Sequence, residues 1–328
     1  MPCICNNDMK YIRLHTTSPY YNLAVEEYLL KETTDDIFML WQNSPSVIIG
    51  KNQNAYAEAD LAYAKENGIN IARRITGGGA VFHDVGNVNY TFITSKSKAE
   101  SLDYEYFTRP IIDTLASLGL DCALSGRNDI ECDGKKISGN AQFCTSDRIL
   151  HHGTLLFDAN VDIMSRVLRA DKEKLEYKAV KSHKSRVANI SSLLGENIDV
   201  VEFIDRIEAF VTEKTGADQI APPENEAINE LYQRNSGDEW ILSDKRFLTS
   251  YTVSRRKKYP FGIVNINMTL NGDVIEEIMI SGDFFEKFPI EELEALIAGK
   301  SIALIDGIDV SGYISGMSNS EFIDLIKG

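Results

Sequence analysis

The chain of 328 residues is long enough for two domains, and its apolar (43%) and charged (25%) fractions are ordinary for a soluble globular protein. A net charge of −15 argues against a nucleic-acid-binding or acidic-membrane-binding surface. No apolar run approaches the roughly 20 residues needed to span a bilayer.

The acidity is uneven: residues 1–186 carry a net −2, 187–250 a net −8 and 251–328 a net −5. The five cysteines show no repeated ligand spacing, and only Cys3 and Cys5 are close enough to share a metal. With an odd count and no signal-peptide pattern, reduced thiols in a cytoplasm are expected, and a monomer is the default.

In chain order, Tyr11 to His15 alternates like a short strand, and Tyr20 to Lys31 reads as a helix with an apolar stripe at helical spacing. Ile37 to Trp41 and Val47 to Ile49 read as strands split by an Asn-Ser-Pro-Ser turn, and Asp60 to Glu66 as a helix stopped by Gly68. Ile69 to Arg74 leads as a strand into Thr76-Gly77-Gly78-Gly79-Ala80-Val81-Phe82-His83-Asp84, and Asn87 to Thr94 leaves as another. The glycines therefore join strands and do not open a helix, unlike dinucleotide and Walker loops. Three residues without Cβ allow a ligand close to backbone N–H groups, and Arg73 and Arg74 beside them suit phosphate. A tight turn with solvated arginines is the plainer alternative.

Asp103 to Leu118 is helical, with Pro110 marking a kink or a late start. Short strands follow at Asp121 to Leu124, Ile130 to Cys132, Lys135 to Ser138 and Leu150 to Phe157, with Asp133-Gly134 as a hairpin turn. Ala170 to Arg186 is charged and reads either as a mobile basic loop or as a solvated face. Helices are expected at Val200 to Lys214 and Glu224 to Arg234. The composition changes near 245–258, where Arg255-Arg256-Lys257-Lys258 precedes Tyr259-Pro260. Beyond this connection, a hairpin around Asn271-Gly272 and helices at Ile290 to Ala298 and Asn319 to Ile326 make a small α+β unit.

Two further stretches suit ligands. Lys136-Ile137-Ser138-Gly139-Asn140-Ala141 places a lysine where it could serve a phosphate or carboxylate oxyanion. His151-His152-Gly153-Thr154-Leu155 brings two histidines into an apolar strand, and with His83 three of the chain's five histidines fall beside candidate ligand loops. Asp84 and Asp129 could help hold a nucleotide-bound Mg²⁺; no dedicated protein metal site is expected.

Taken together, Arg73-Arg74-x-x-Gly77-Gly78-Gly79-Ala80-Val81-Phe82-His83-Asp84-x-Gly86-Asn87, Gly126-Arg127-Asn128-Asp129, the Lys136 motif and the His152 motif resemble the lipoate–protein ligase A family, in the family's order. Asn22-Leu23-Ala24-x-Glu26-Glu27 and Lys181-Ser182-x-x-Ser185-Arg186-Val187-x-Asn189 also match. The resemblance implies an α+β fold: a large mixed β-sheet catalytic domain of the biotin/lipoate ligase type over 1–248, and a small α+β accessory domain over 249–328.

It further implies that lipoate and Mg·ATP give lipoyl-adenylate. The lipoyl group then passes to a lysine on lipoyl domains of 2-oxoacid dehydrogenase acyltransferase subunits or on the glycine-cleavage H protein. By the same resemblance Lys136 is the essential lysine, and Arg74 with Gly77, Gly78, Gly79, Ala80, Val81 and Phe82 wraps the adenylate. Val81, Phe82 and His83 border the lipoyl tunnel, and Asn128, Asp129, His152, Gly153 and Thr154 lie at the nucleotide. Cys144, between the lysine and histidine motifs, keeps open a cysteine-dependent octanoyl or lipoyl transferase of the same fold that works without ATP.

Overall fold

The computed structural model describes residues 9–100, 102–169 and 187–328. Cys3, Cys5 and the basic stretch 170–186 lie outside them. The chain opens with β1 (Lys10–Arg13), α1 (Pro19–Glu32), β2 (Ile37–Trp41), β3 (Ser46–Ile49), α2 (Ala55–Glu58), α3 (Leu61–Glu66) and β4 (Asn70–Arg73). Next come β5 (Val81–His83), β6 (Asn87–Ser95), α4 (Tyr104–Ser117), β7 (Cys122–Ser125), β8 (Asp129–Cys132), β9 (Lys135–Cys144) and β10 (Arg148–Leu156). Helices α5 (Val161–Val167) and α6 (Val200–Thr215), strand β11 (Asp218–Gln219), and helices α7 (Glu226–Ser236), α8 (Asp238–Leu242) and α9 (Asp244–Phe247) follow. The chain closes with β12 (Val253–Tyr259), β13 (Gly262–Asn271), β14 (Val274–Gly282), α10 (Ile290–Ile297) and α11 (Asn319–Lys327).

Eight strands make one mixed sheet in the order β11-β1-β2-β6-β10-β9-β8-β7. Strand β2 is central and buried along its whole length, which is why it reads as an unbroken apolar run. One face packs on α4 and α6 through Phe107, Ile111, Phe203 and Ile207. The other packs on α1 and α7 through Leu23, Leu30 and Ile228. Helix α1 starts where Ser18 caps the N–H of Tyr21 and Pro19 occupies the first turn.

A second, three-stranded sheet, β4-β3-β5, lies beside the first with its own apolar core of Val47, Ile49, Ala64 and Phe82. The third, β12-β13-β14, carries α10 and α11 on a core built wholly from residues between 253 and 326.

Three expectations change. Pro110 sits inside α4, which begins at Tyr104 under an Asp103 cap, so there is no late start. The strand of Lys135 to Ser138 runs on to Cys144, because β10 pairs with its second half from Asn140 onward. The connection of Thr252 to Pro260 is itself strand β12, paired with β13 from Val253 to Tyr259.

Candidate active site

The glycine loop joins β4 to β5 on the small sheet, so it links strands as its sequence implies. Its arginines do not behave as expected. Arg73 turns inward and donates to the carbonyls of Gly50, Lys51, Gln53, Trp240 and Ile241. Arg74 donates to the carbonyls of Ile48, Gly77 and Gly79 and to Thr76 Oγ1. Burial brings both guanidinium groups down to about 10. They shape the loop from within by gathering backbone carbonyls, and most of their donors are committed to protein atoms.

Strand alternation sorts the residues after the glycines. Val81 packs toward the core that contains Trp41 and Leu150, and the His83 ring meets Trp41 edge-on at 6.2 Å. Phe82 points the other way, into the core of the small sheet, and so does not share a wall with its two neighbours. His83 accepts at Nδ1 from the amide of Asn43 at 3.0 Å, and its buried Nε2 has no partner among the described residues. Burial, reinforced by the charges of Arg74 and His152, holds this imidazole at about 3, so it is neutral.

A chain of hydrogen bonds ties the loop to the large sheet. Trp41 Nε1 donates to Thr91 Oγ1 (3.0 Å), and Thr91 donates to Glu26 (2.7 Å). Glu26 faces His152 Nδ1 at 3.0 Å, and His152 Nε2 lies 2.9 Å from Thr76 Oγ1. A carboxylate only accepts, so Nδ1 carries a proton. Thr76 Oγ1 also accepts from Arg74, so its hydroxyl bridges that arginine and His152 Nε2. Glu26 stands in the Asn22-to-Glu27 motif and Thr76 at the head of the glycine loop, but neither takes a role from the sequence alone, because no local pattern links a helix on one side of the sheet to a loop fifty residues on.

On β10, His152 and Thr154 share one face, and Thr154 pairs with Gly139 of β9 through its hydroxyl (3.2 Å). His151 points to the opposite face, stacked on Phe107 at 4.9 Å and bonded to Gln142 and Asn140. It is a core residue, which removes it from the ligand-loop set. Gly153 is glycine because the Tyr90–Asn140 hydrogen bond crosses the space a Cβ would need.

Lys136 reaches the His152 face through a bulge. Ile130 pairs with Ser138 but Glu131 pairs with Lys136, so Ile137 is an extra residue in β9. Without it, simple alternation would put Lys136 and Gly139 on opposite faces. With it, the Lys136 ammonium lies above Gly139, where a Cβ would stand 3.1 Å away, and pairs with Asp129 at 2.8 Å. Both side chains remain about one-third exposed, so the pair can open to a ligand. Asn128 braces this corner by donating to the carbonyl of Asn140 (2.7 Å). Asn87 Oδ1 and Asn89 Nδ2, on β6 beside β10, are buried with hydrogen-bonding capacity unused among the described residues.

Among the described residues, no three His, Cys, Asp or Glu side chains converge as a metal cluster. Asp84 is occupied as a cap, accepting from the N–H groups of Gly86 (2.9 Å) and Asn160 (2.8 Å), which withdraws it as a cation ligand. Of the two aspartates, Asp129 is the one left beside Lys136.

The small C-terminal unit covers part of the loop. Gly78 N–H donates to the carbonyl of Phe284 (3.0 Å), and a Cβ on Gly77 would lie 2.5 Å from that oxygen. The Phe285 ring receives the Arg127 guanidinium at 4.4 Å, and Glu286 accepts from Lys51 (2.6 Å) and Asn52 (2.7 Å).

The lipoyl protein ligase A/B catalytic domain family matches residues 18–212, and the bacterial lipoate protein ligase C-terminus family matches residues 249–326. The chain belongs to the lipoate–protein ligase family. It is 37% identical over 322 residues to lipoate-protein ligase LplJ of Bacillus subtilis, covering 94% of this chain and 96% of that one. It is 35% identical over 295 residues to lipoate–protein ligase 1 of Staphylococcus aureus, covering 89% and 90%.

Among solved structures, Plasmodium falciparum LipL1 in complex with lipoate shares the fold at a TM-score of 0.79 and 23% identity, over 97% of this chain and 98% of that one. A lipoate-protein ligase A bound with ATP superposes at 0.60 and 27% identity, over 72% and 98%. The ligase of a bipartite system from Thermoplasma acidophilum, described with its E2 lipoyl domain, superposes at 0.63 and 29%, over 75% and 99%. The enzyme is a lipoate–protein ligase, and among its described residues no helix is long and apolar enough to cross a membrane.

Proposed function

We propose that Lys136, Asp129, His152, Thr154 and the glycine loop form the site at which this ligase makes and spends lipoyl-adenylate. The lipoate carboxylate attacks the α-phosphate of ATP, the bond to the leaving pyrophosphate breaks, and lipoyl-AMP results. An acceptor lysine amine then attacks the lipoyl carbonyl, AMP leaves, and an amide is formed. Each step gathers negative charge on oxygen, which a preorganised cation and backbone N–H groups stabilise. Lys136 is the cation, released from Asp129 as the substrate oxyanions arrive. Arg74 holds Gly77 and Gly79 by their carbonyls, so the loop presents its shape to the adenylate without a guanidinium contact. Mg²⁺ carried in with ATP would find the Asp129 carboxylate, and one or two protein oxygens suffice for that ion.

The observation that carries this reading is the bulge at Ile137, which brings Lys136 to the face that His152 ties to the glycine loop. We assign 1–248 to catalysis and 249–328 to the accessory unit, acting on lipoyl domains of dehydrogenase acyltransferase subunits and on the H protein as a cytoplasmic monomer. Cys144 stands at the far end of β9 from Lys136, roughly 25 Å away along the strand, which disfavours a thioester at this lysine. Lipoate-dependent exchange of pyrophosphate into ATP, run beside octanoate and biotin, tests the assignment. No exchange with lipoate would sink it.

A further inference from the structure

Four of the seven lysines and arginines in residues 251–328 stand side by side as Arg255-Arg256-Lys257-Lys258, in a segment whose net charge is −5. They occupy β12, the edge strand of the C-terminal sheet, and Arg256, Lys257 and Lys258 are exposed. The strand ends at Tyr259, and Pro260 and Phe261 beyond it line a 510 Å³ cleft with Arg127 and Asn128. Asn128 directly precedes Asp129, the partner of Lys136. A run of cations therefore begins near the rim of the active site and extends outward for about 10 Å along an edge strand, with Arg256 and Lys258 on one face and Arg255 and Lys257 on the other.

We propose that β12 is the docking surface for the acceptor protein, which meets it with an acidic face beside its target lysine. The position argues for the acceptor: a protein whose lysine enters near Lys136 has its flank over β12, whose end at Tyr259 and Pro260 meets the cleft lined by Asn128. The charge argues for an acidic partner: outside these four, residues 251–328 carry three cations against twelve acids, so within this unit such a partner is steered to this strip. Nucleic acid is disfavoured by the overall charge of −15. The inference rests on the transfer reading given above.

The test separates the two half-reactions. Transfer from lipoate and ATP to a recombinant lipoyl domain is measured in the native enzyme and in Arg256→Glu/Lys258→Glu, with pyrophosphate exchange in parallel. The acceptor KM is expected to rise about tenfold, with kcat and exchange nearly unchanged. In the native enzyme that KM is expected to rise between about 0.05 M and about 0.3 M salt, and to rise less in the variant. The milder Lys257→Gln/Lys258→Gln pair is expected to show a smaller shift of the same sign. An acceptor KM unmoved by both variants and by salt would overturn the proposal and leave the cations as guards of an exposed edge. Retention on an oligonucleotide with unmoved acceptor KM would overturn it in favour of nucleic acid. Absence of exchange in the native enzyme would instead strike the transfer reading itself.

Discussion

His152 Nδ1 lies 3.0 Å from both carboxylate oxygens of Glu26, a contact between a helix and a central strand 126 residues apart. Through it the glycine loop is held to the large sheet, because the other ring nitrogen meets Thr76. Glu26→Gln keeps the shape and removes the charge that fixes the ring. It is expected to lower the unfolding free energy by about 1–2 kcal/mol in urea titrations and to raise the KM for ATP more than it lowers kcat. Unchanged KM and stability would show that the loop holds its shape without this tie.

Lys136 and Cys144 sit at opposite ends of one strand, so their substitutions separate the two chemistries. Lys136→Ala is expected to abolish lipoate-dependent pyrophosphate exchange, while Cys144→Ala leaves it nearly intact. The reverse pattern would move the enzyme to a cysteine thioester mechanism.

A Cβ on Gly77 would stand 2.5 Å from the carbonyl oxygen of Phe284 and 3.3 Å from the Cα of Phe285, both backbone atoms that cannot swing aside. Gly77→Ala is expected to lift the C-terminal unit off the loop and break the Gly78–Phe284 hydrogen bond, seen as a larger radius of gyration in solution scattering. An unchanged profile would mean that the loop yields instead. Identical profiles for the free and adenylate-bound native enzyme would count against a swinging C-terminal unit.

Two buried rings set a pH dependence. His83 is held at about 3 and His151 well below the ordinary 6.5, in both cases first by burial. The unfolded chain takes up these protons as pH falls through 6.5, and the folded chain does not until far lower. Their contribution to stability is therefore full above that pH and declines toward acid, by about 1.4 kcal/mol per pH unit for each ring. His83→Gln is expected to remove that much of the slope between the onset at 6.5 and about pH 5 in urea titrations at stepped pH. A slope equal to that of the native enzyme would show that the ring protonates in place.

The local signals carried far. Asp133-Gly134 turns as a hairpin with positive φ at both residues, and the glycine loop joins two strands. Lys136 was legible as a residue type in a motif, yet the face it takes depends on one extra residue in the β9–β8 register, which no periodicity reveals. Arg73 and Arg74 read as free cations because a sequence lists charges without showing which carbonyls converge on them. His152 is assigned to the nucleotide by resemblance, and strand alternation gives the physical reason that His151 is not its equivalent. Glu26, Thr76 and Phe284 owe their places to contacts between distant segments, where local propensity is silent.

Gly77 and Gly78 are neighbours with different reasons to lack a side chain. Gly78 has φ of +90°, a conformation that strains any L-residue, whereas what confronts Gly77 is the backbone of the C-terminal unit. At Gly78 the Phe285 ring, 2.9 Å from where a Cβ would stand, adds to this demand, but the handedness of its own backbone would persist in a chain cut after residue 248. The demand on Gly77 comes from another part of the molecule, and in such a shortened chain that position would answer only to the loop and the adenylate it is proposed to wrap.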